Sequence, residues 1–88
     1  MRTIHHYQIA PGDGWQLIQL PEGAVPIKYQ GSIPGKMWAI VDDAAPLVAT
    51  PIAVIGTGWE VPKNAVHVHT DIGPTGYVWH LFVSEGGE

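Results

Sequence analysis

Two short apolar runs separated by a turn stand in the middle of the 88-residue chain, in residues 36–55: KMWAIVDDAAPLVATPIAVI. The first run, Met37 to Val41, is continuously apolar, which is typical of a strand covered on both faces. The segment from Asp42 to Pro46 ends it, because Asp and Pro favour turns. The second run, Leu47 to Ile55, carries Pro51 in its middle, so we expect a bulge or bend there. This region therefore predicts two strands joined by a turn.

The same pattern extends in both directions from this segment. Short apolar or alternating runs recur, and Gly and Pro interrupt them roughly every dozen residues, which is typical of strands rather than helices. The other runs are Thr3–Ile9, Trp15–Leu20, Val25–Gln30, Ala65–Thr70 and Gly76–Val83. The sequence predicts an all-β protein, a small single-domain antiparallel β-sandwich or partly open barrel of about six to seven short strands. Residues 1–84 are predicted to form this domain, and residues 85–88 a frayed polar tail.

Alternation along a strand predicts which side chains share a face, because successive side chains point in opposite directions. Val25, Ile27 and Tyr29 should therefore lie on one face of the third run. His67 and His69 should likewise share a face, with their Cα atoms about 7 Å apart.

Composition narrows the class of protein. At this size only about 60–65% of the unfolded surface can be buried, and the chain has no cysteine for disulfides or thiolate metal sites. Oligomerisation is the remaining way to enlarge a small core. Four Trp and a 45% hydrophobic content supply surface for it, so we expect a homo-oligomer. The absence of cysteine also fits a reducing cytoplasm.

Charge and the apolar runs indicate which partners to expect. The chain has eight acidic residues and only four basic ones, and the basic residues are scattered singly along it. Binding to a long nucleic acid is therefore not expected, because it requires a basic stripe. The sequence opens without the apolar segment of a signal peptide, and no apolar run approaches ~20 residues. We expect no membrane partner.

Two histidines beside an aspartate are the strongest metal-like feature. His67, His69 and Asp71 lie close in sequence, and paired imidazoles on one strand face bind metal in cupin-type barrels. Such sites need a Glu further on, where this chain has Ile72 and Gly73, and a closed zinc site needs four ligands. No metal and no cofactor are predicted. A metal-dependent hydrolase that uses the three residues is the least favoured alternative.

Trp59 is the strongest candidate for ligand contact, because it lies in a predicted loop where an indole needs something to pack on. An exposed Trp can stack on a ring or anchor an interface. The opposing interpretation is that Trp59 closes the core of a small barrel or dimer. With its neighbours in sequence it forms the predicted ligand-binding set: Trp59, Gly56, Thr57, Gly58, Lys63, His67 and His69.

Five ordered blocks carry a resemblance over nearly the whole chain. They are Met1–Ile4 with Tyr7, Leu20–Ala24, Met37–Asp42, Gly56–Gly58 with Pro62, and Val78–Phe82. In these blocks the chain resembles a family of small, uncharacterised proteins encoded by tailed bacteriophages. Members of that family tend to have a Tyr-Ile-Gly-Thr-like strand where this chain has Val66 to Ile72, so any role of His67 or His69 would be particular to this protein.

The resemblance implies an accessory protein that acts in the cytoplasm of an infected bacterial host. Several small accessory phage proteins are compact β-rich oligomers that trap nucleotide immune signals. We therefore expect a non-enzymatic protein that binds and sequesters a small host ligand, such as a nucleotide immune signal, and so counters defence. The alternative is an interaction module that inhibits a host protein such as a nuclease.

Overall fold

Seven strands make up the part of the chain that the computed structural model describes, residues 1–32, 34–74 and 76–85. In chain order they are β1 (Arg2–Gln8), β2 (Gln16–Pro21), β3 (Val25–Gln30), β4 (Lys36–Asp42), β5 (Leu47–Gly56), β6 (Ala65–Ile72) and β7 (Val78–Ser84). The predicted all-β fold is confirmed. Within the described ranges, the structure contains no helix of the length and apolar character needed to span a membrane.

The strands form two antiparallel sheets that enclose one core. One sheet has the order β1-β4-β3, and the other has the order β2-β5-β7-β6. Tyr29 and Met37 from the first sheet meet Leu20, Ile52 and Leu81 from the second, and all five side chains are buried. Burial of these apolar groups is the main favourable contribution to folding. The arrangement is a β-sandwich rather than a closed barrel.

Two bulges interrupt the alternation, and neither lies at Pro51. The pairing of β2 with β5 passes through Leu17 and Pro51 without a register shift, so the bulge predicted there is wrong. In β3 the shift falls between Pro26 and Lys28. A bulge adds one residue to one strand and reverses the facing of the side chains beyond it.

The bulge in β3 explains which of its side chains are buried. Pro26 and Tyr29 point into the core, whereas Val25 is 51% exposed and Ile27 is 38% exposed. The prediction that Val25, Ile27 and Tyr29 share a face is therefore wrong. The prediction failed because the extra residue changes the parity of the strand.

The bulge in β6 separates the two histidines that alternation placed together. His67 pairs with Phe82 and His69 pairs with Leu81, so moving by one residue along β7 corresponds to moving by two residues along β6. Phe82 and Leu81 are adjacent in β7 and point to opposite faces. The prediction that His67 and His69 share a face is therefore wrong.

Side chains of β6 close one side of the sandwich. The Tyr29 N–H donates to His69 Nδ1 at 3.2 Å, and the Gly31 N–H donates to Asp71 Oδ2 at 2.9 Å. These bonds join the edge strand of one sheet to the edge strand of the other without a backbone ladder. They also satisfy main-chain donors that an edge strand would otherwise leave open to another chain.

Residues 57–64 return along the length of the second sheet. Strands β5 and β6 are both antiparallel to β7, so they run parallel and need a crossover connection. The Glu85 N–H donates to Asn64 O at 2.8 Å and fixes the far end of this crossover. Glu85 is the one residue of the predicted tail that is described, and residues 86–88 lie outside the described residues.

The crossover covers the outward face of the sheet. Val54 and Leu81 belong to the core, so alternation directs the neighbouring Ile55 and His80 outward. Ile55 is nevertheless only 1% exposed. An outward side chain can be buried in this way only when another segment lies over it. Thr57 of the crossover reaches this face, where its Oγ1 lies 2.9 Å from His80 Nε2.

Candidate ligand-binding site

Three aromatic rings gather where β5 ends and β7 begins, and we call this cluster the aromatic end: Trp59, Tyr77 and Trp79. The Trp59 and Trp79 rings meet edge to face, with centroids 5.6 Å apart and planes at 70°. Tyr77 lies nearly parallel to Trp79, with centroids 6.2 Å apart and planes at 4°. Trp79 is half-buried, whereas Trp59 is 41% exposed and Tyr77 is 66% exposed. The cluster is anchored in the sandwich and presents two rings to solvent.

Glycines give the rings the room they occupy. A Cβ atom on Gly31 would overlap Cδ1 of the Trp79 indole, and one on Gly56 would lie 2.9 Å from Cε2 of Trp59. Gly58 has a φ of 92°, which L side chains adopt only with strain. The Trp59 N–H donates to Gly56 O at 3.0 Å and closes the turn that brings Trp59 back onto the sheet.

A concavity of about 240 Å³ opens beside the aromatic end. Its lining consists of Gly56, Thr57, Trp59, Gly76, Tyr77, Val78 and Trp79. Among the described residues that line it there is no lysine or arginine. Ligand sites typically combine apolar walls with a few polar groups, and Thr57 and Tyr77 are the lining residues that carry a side-chain hydroxyl. The size suits one small ring system.

Thr57 leads into a hydrogen-bonded chain of side chains on the outward face. Its Oγ1 lies 2.9 Å from His80 Nε2, and His80 Nδ1 lies 3.0 Å from Thr70 Oγ1. The Thr70 hydroxyl in turn lies 2.8 Å from His67 Nε2. His67 also packs edge to face on Phe82, with centroids 5.6 Å apart. We call Thr57, His80, Thr70 and His67 the hydroxyl–imidazole chain.

The structure brings together only part of the predicted ligand-binding set. Gly56, Thr57 and Trp59 line the concavity, and Gly58 lies in the turn between them. His67 reaches Thr57 only through the hydroxyl–imidazole chain.

His69 and Lys63 lie away from the concavity. His69 points to β3, where its Nδ1 accepts the Tyr29 N–H. Lys63 precedes Asn64, which bonds Glu85 just beyond the far end of β7. That end is about 17 Å from Trp79 at ~3.4 Å per strand residue.

Sequence reasoning missed two of the rings, Tyr77 and Trp79, and the partner of the Thr57 hydroxyl, His80. Tyr77 and Trp79 alternate along one strand, which indicates a shared face, but their approach to Trp59 depends on the crossover. From its apolar run, His80 is predicted to be a buried, hydrogen-bonded core residue. Its bonds through both ring nitrogens confirm the hydrogen bonding, but the core position is wrong, because His80 is only half-buried and points outward. Its link to Thr57 spans 23 residues, and no local pattern encodes it.

The donor groups that resembled a metal site are used in other ways. In the described ranges, no three His, Cys, Asp or Glu side chains come together in an arrangement that could hold a metal ion. His69 and Asp71 accept backbone N–H groups of β3, and His67 lies on the opposite face. We therefore do not propose the metal-dependent hydrolase.

The fold and the site define a seven-stranded antiparallel β-sandwich with an aromatic concavity at one end. No curated protein and no solved structure matches the chain. The chain belongs to the family described as domain of unknown function (DUF7352), which matches residues 1–88. The bacteriophage origin that the sequence resemblance implies stays a prediction.

Proposed function

We propose that the protein binds and holds a small ring-containing ligand in the concavity at the aromatic end, without transforming it. The observation that carries this proposal is the exposure of Trp59 and Tyr77 on a half-buried Trp79. Exposed indole and phenol rings leave apolar surface in contact with water, and patches of such surface often mark binding sites. Stacking of a base on such rings contributes about 1–3 kcal/mol.

The lining favours the ring of the ligand over a highly charged group. Phosphate recognition usually relies on Arg, Lys or clustered backbone N–H groups. Here the only cation of the predicted set, Lys63, lies at the far end of the sheet. A nucleotide signal would therefore be held through its base, with its phosphates directed to solvent or to the turn at Gly58. Sequestration of such a signal, and the resulting defence against host immunity, is the biological role we propose.

Calorimetric titration with adenosine, AMP, ADP-ribose and a cyclic dinucleotide tests the proposal. We expect micromolar binding of at least one compound, with adenosine binding about as tightly as AMP because none of the described residues that line the concavity is a lysine or arginine. Trp59→Ala should weaken binding about tenfold or more, from the stacking energy of about 1–3 kcal/mol. Lys63→Ala is the matched control and should bind normally. The proposal fails if no compound binds at micromolar concentration, or if Trp59→Ala binds like the unchanged protein.

A second candidate function, inhibition of a host protein, draws on the same exposed groups. Ile72 pairs with Val78, the residue after Tyr77, and is 75% exposed, which adds apolar surface at this end of the sheet. Trp and Tyr are the residues that most often dominate binding energy at protein interfaces. Recovery of one host protein in a stoichiometric complex, lost in Trp59→Ala, would favour this candidate over a small ligand.

We also propose that the protein forms a homo-oligomer, through a different surface from the aromatic end. Leu17 of β2 and Leu47 of β5 are 70% and 63% exposed on neighbouring strands. Burying such side chains is worth about 25 cal/mol per Å² of apolar surface. Light scattering should give a mass above that of one chain, and Leu17→Lys should lower it. A strictly monomeric protein would contradict this part of the proposal.

A further inference from the structure

The hydroxyl–imidazole chain ends on Thr57, an exposed residue that also lines the concavity. We propose that the Thr57 hydroxyl is an activated nucleophile that accepts an acyl group from a small aryl ester. This inference goes beyond ligand binding, because it requires a covalent bond. It does not depend on which ligand stacks on Trp59.

The distances satisfy what an activated hydroxyl requires. A nucleophile and its base lie within about 2.6–3.2 Å, and a third group orients the base. Thr57 Oγ1 is 2.9 Å from His80 Nε2, and Thr70 Oγ1 is 3.0 Å from the other ring nitrogen, Nδ1. His80 is half-buried. It is therefore positioned to take the proton from Thr57.

In the hydroxyl–imidazole chain, one arrangement of the protons gives every donor an acceptor and also activates Thr57. His80 carries its proton on Nδ1 and donates it to Thr70 Oγ1, and Thr70 donates its own hydroxyl proton to His67 Nε2. His80 Nε2 then has a free lone pair that accepts the Thr57 hydroxyl proton. Thr70 and His67 thus act as positioning residues, because they fix the tautomer and orientation of His80.

The backbone presents Thr57 in a tight turn at the end of a strand. Residues 56–59 form this turn, closed by the Trp59 N–H to Gly56 O bond at 3.0 Å. Gly58, with φ at 92°, occupies the third position of a type II turn. Nucleophile elbows place their hydroxyl on a similarly sharp turn after a strand. The turn's own hydrogen bond leaves the Gly58 N–H available to stabilise an oxyanion next to Thr57.

The neighbouring rings select the class of acyl donor. Trp59 and Tyr77 line the same concavity as Thr57, and its volume of about 240 Å³ suits one aromatic ring. An aryl ester could stack its leaving group there while its carbonyl lies against Thr57. Because no described lining residue is cationic, an uncharged ester fits better than a phosphorylated one.

The step balances without a further reagent. The Thr57 hydroxyl proton passes to His80 Nε2, and Oγ1 forms a bond to the carbonyl carbon. The bond from that carbon to the phenolic oxygen breaks, and the phenolate leaves with the electron pair. His80 then releases the proton to solvent. The product is a Thr57 ester, which corresponds to capture of one acyl group per chain.

The test uses p-nitrophenyl acetate with the full chain. We expect release of one nitrophenolate per chain and one acetyl group, located on Thr57 by peptide mass spectrometry of the unchanged protein. Thr57→Ser should retain the reaction, and Thr57→Val should abolish the acetyl group at this position. His80→Gln should slow it about 100-fold or more, which is the lower range for a lost general base.

Matched controls separate this chemistry from background acylation. Thr50→Val should react normally, since the Thr50 hydroxyl donates to Val48 O at 3.1 Å and lies outside the hydroxyl–imidazole chain. His5→Gln removes an exposed imidazole that does not belong to the hydroxyl–imidazole chain, and this variant should also react normally.

The positioning role of Thr70 has its own test. Thr70→Val should slow acetylation about 10- to 100-fold, and Thr70→Ser should restore it, since one oriented hydrogen bond to a charged group is worth about 1.5–3 kcal/mol. Melting curves of both variants confirm that they are folded.

Two results would overturn the proposal: acetyl groups spread over lysines and histidines with none on Thr57, or equal nitrophenolate bursts in Thr57→Val and the unchanged protein. Calorimetric titration with adenosine tests the ligand-binding proposal independently of the acetylation of Thr57. Ligand binding can fail while Thr57 still reacts, and the reverse outcome is equally distinguishable.

Discussion

Replacing Asp71 with Ala removes the carboxylate that accepts the Gly31 N–H at 2.9 Å. This bond, together with the one from Tyr29 N–H to His69 Nδ1, joins the edges of the two sheets. A hydrogen bond to a charged group contributes about 1.5–3 kcal/mol, and the half-buried position of Asp71 favours the middle of that range. We therefore expect Asp71→Ala to lower the free energy of unfolding by about 2 kcal/mol.

The loss of about 2 kcal/mol should be measurable both in global unfolding and in the exchange of single amide groups. For a domain of this size, about 2 kcal/mol lowers Tm by roughly 8–16 °C. Asp71→Asn keeps an oxygen acceptor and should lose about 1 kcal/mol or less, since only the charge is removed. Urea denaturation followed by circular dichroism gives both values. Amide hydrogen exchange should show faster exchange at Gly31 and Tyr29 in Asp71→Ala than in the unchanged protein.

A control and a refuting result complete the experiment. Asp13→Ala removes an exposed carboxylate from the loop between β1 and β2, and should change stability by less than about 0.5 kcal/mol. If Asp71→Ala matches this control and the exchange of Gly31 is unchanged, the two edges are not joined by these side chains. The reasoning on how the sandwich closes would then be wrong.

Two further substitutions test the core and the aromatic end. Tyr29→Phe should cost about 1–2 kcal/mol, because the buried hydroxyl donates to Ile9 O at 2.7 Å. Burial, and secondarily the charge of Asp71, raises the pKa of Tyr29 from 10.0 to about 12. Its contribution is therefore complete below pH 10 and is lost as the pH rises towards 12, so Tyr29→Phe should flatten alkaline unfolding curves; equal alkaline slopes would contradict this. Gly31→Ala should cost about 1–3 kcal/mol and alter the near-ultraviolet circular dichroism, because its methyl group displaces Trp79; an unchanged spectrum would contradict the packing.

Local pattern was enough to predict the strands of this protein. The runs around Met37–Val41 and Leu47–Ile55 became β4 and β5 with ends shifted by no more than a residue. Gly and Pro marked the turns, because positive φ and the missing N–H act locally. These effects need no knowledge of distant residues.

The bulges and the site could be predicted only in part. A bulge adds one residue at Ile27 or Val68 without a compositional signal, yet it decides that His69 turns to β3 instead of joining His67. Trp59 was identified from its loop position, because an exposed indole is unusual in itself. Its contact with Trp79, and the bond from Thr57 to His80, arise from the crossover, which depends on strand order rather than on neighbouring residues.

Nuclear magnetic resonance of the indole N–H groups tests the central claim most directly. The chain contains four of them, in Trp15, Trp38, Trp59 and Trp79. On titration with adenosine and with ADP-ribose, our account predicts saturable shifts of the Trp59 and Trp79 signals, while Trp15 and Trp38 stay in place. Unshifted Trp59 and Trp79 signals with both compounds, or shifts confined to Trp15 and Trp38, would contradict a ligand site at the aromatic end.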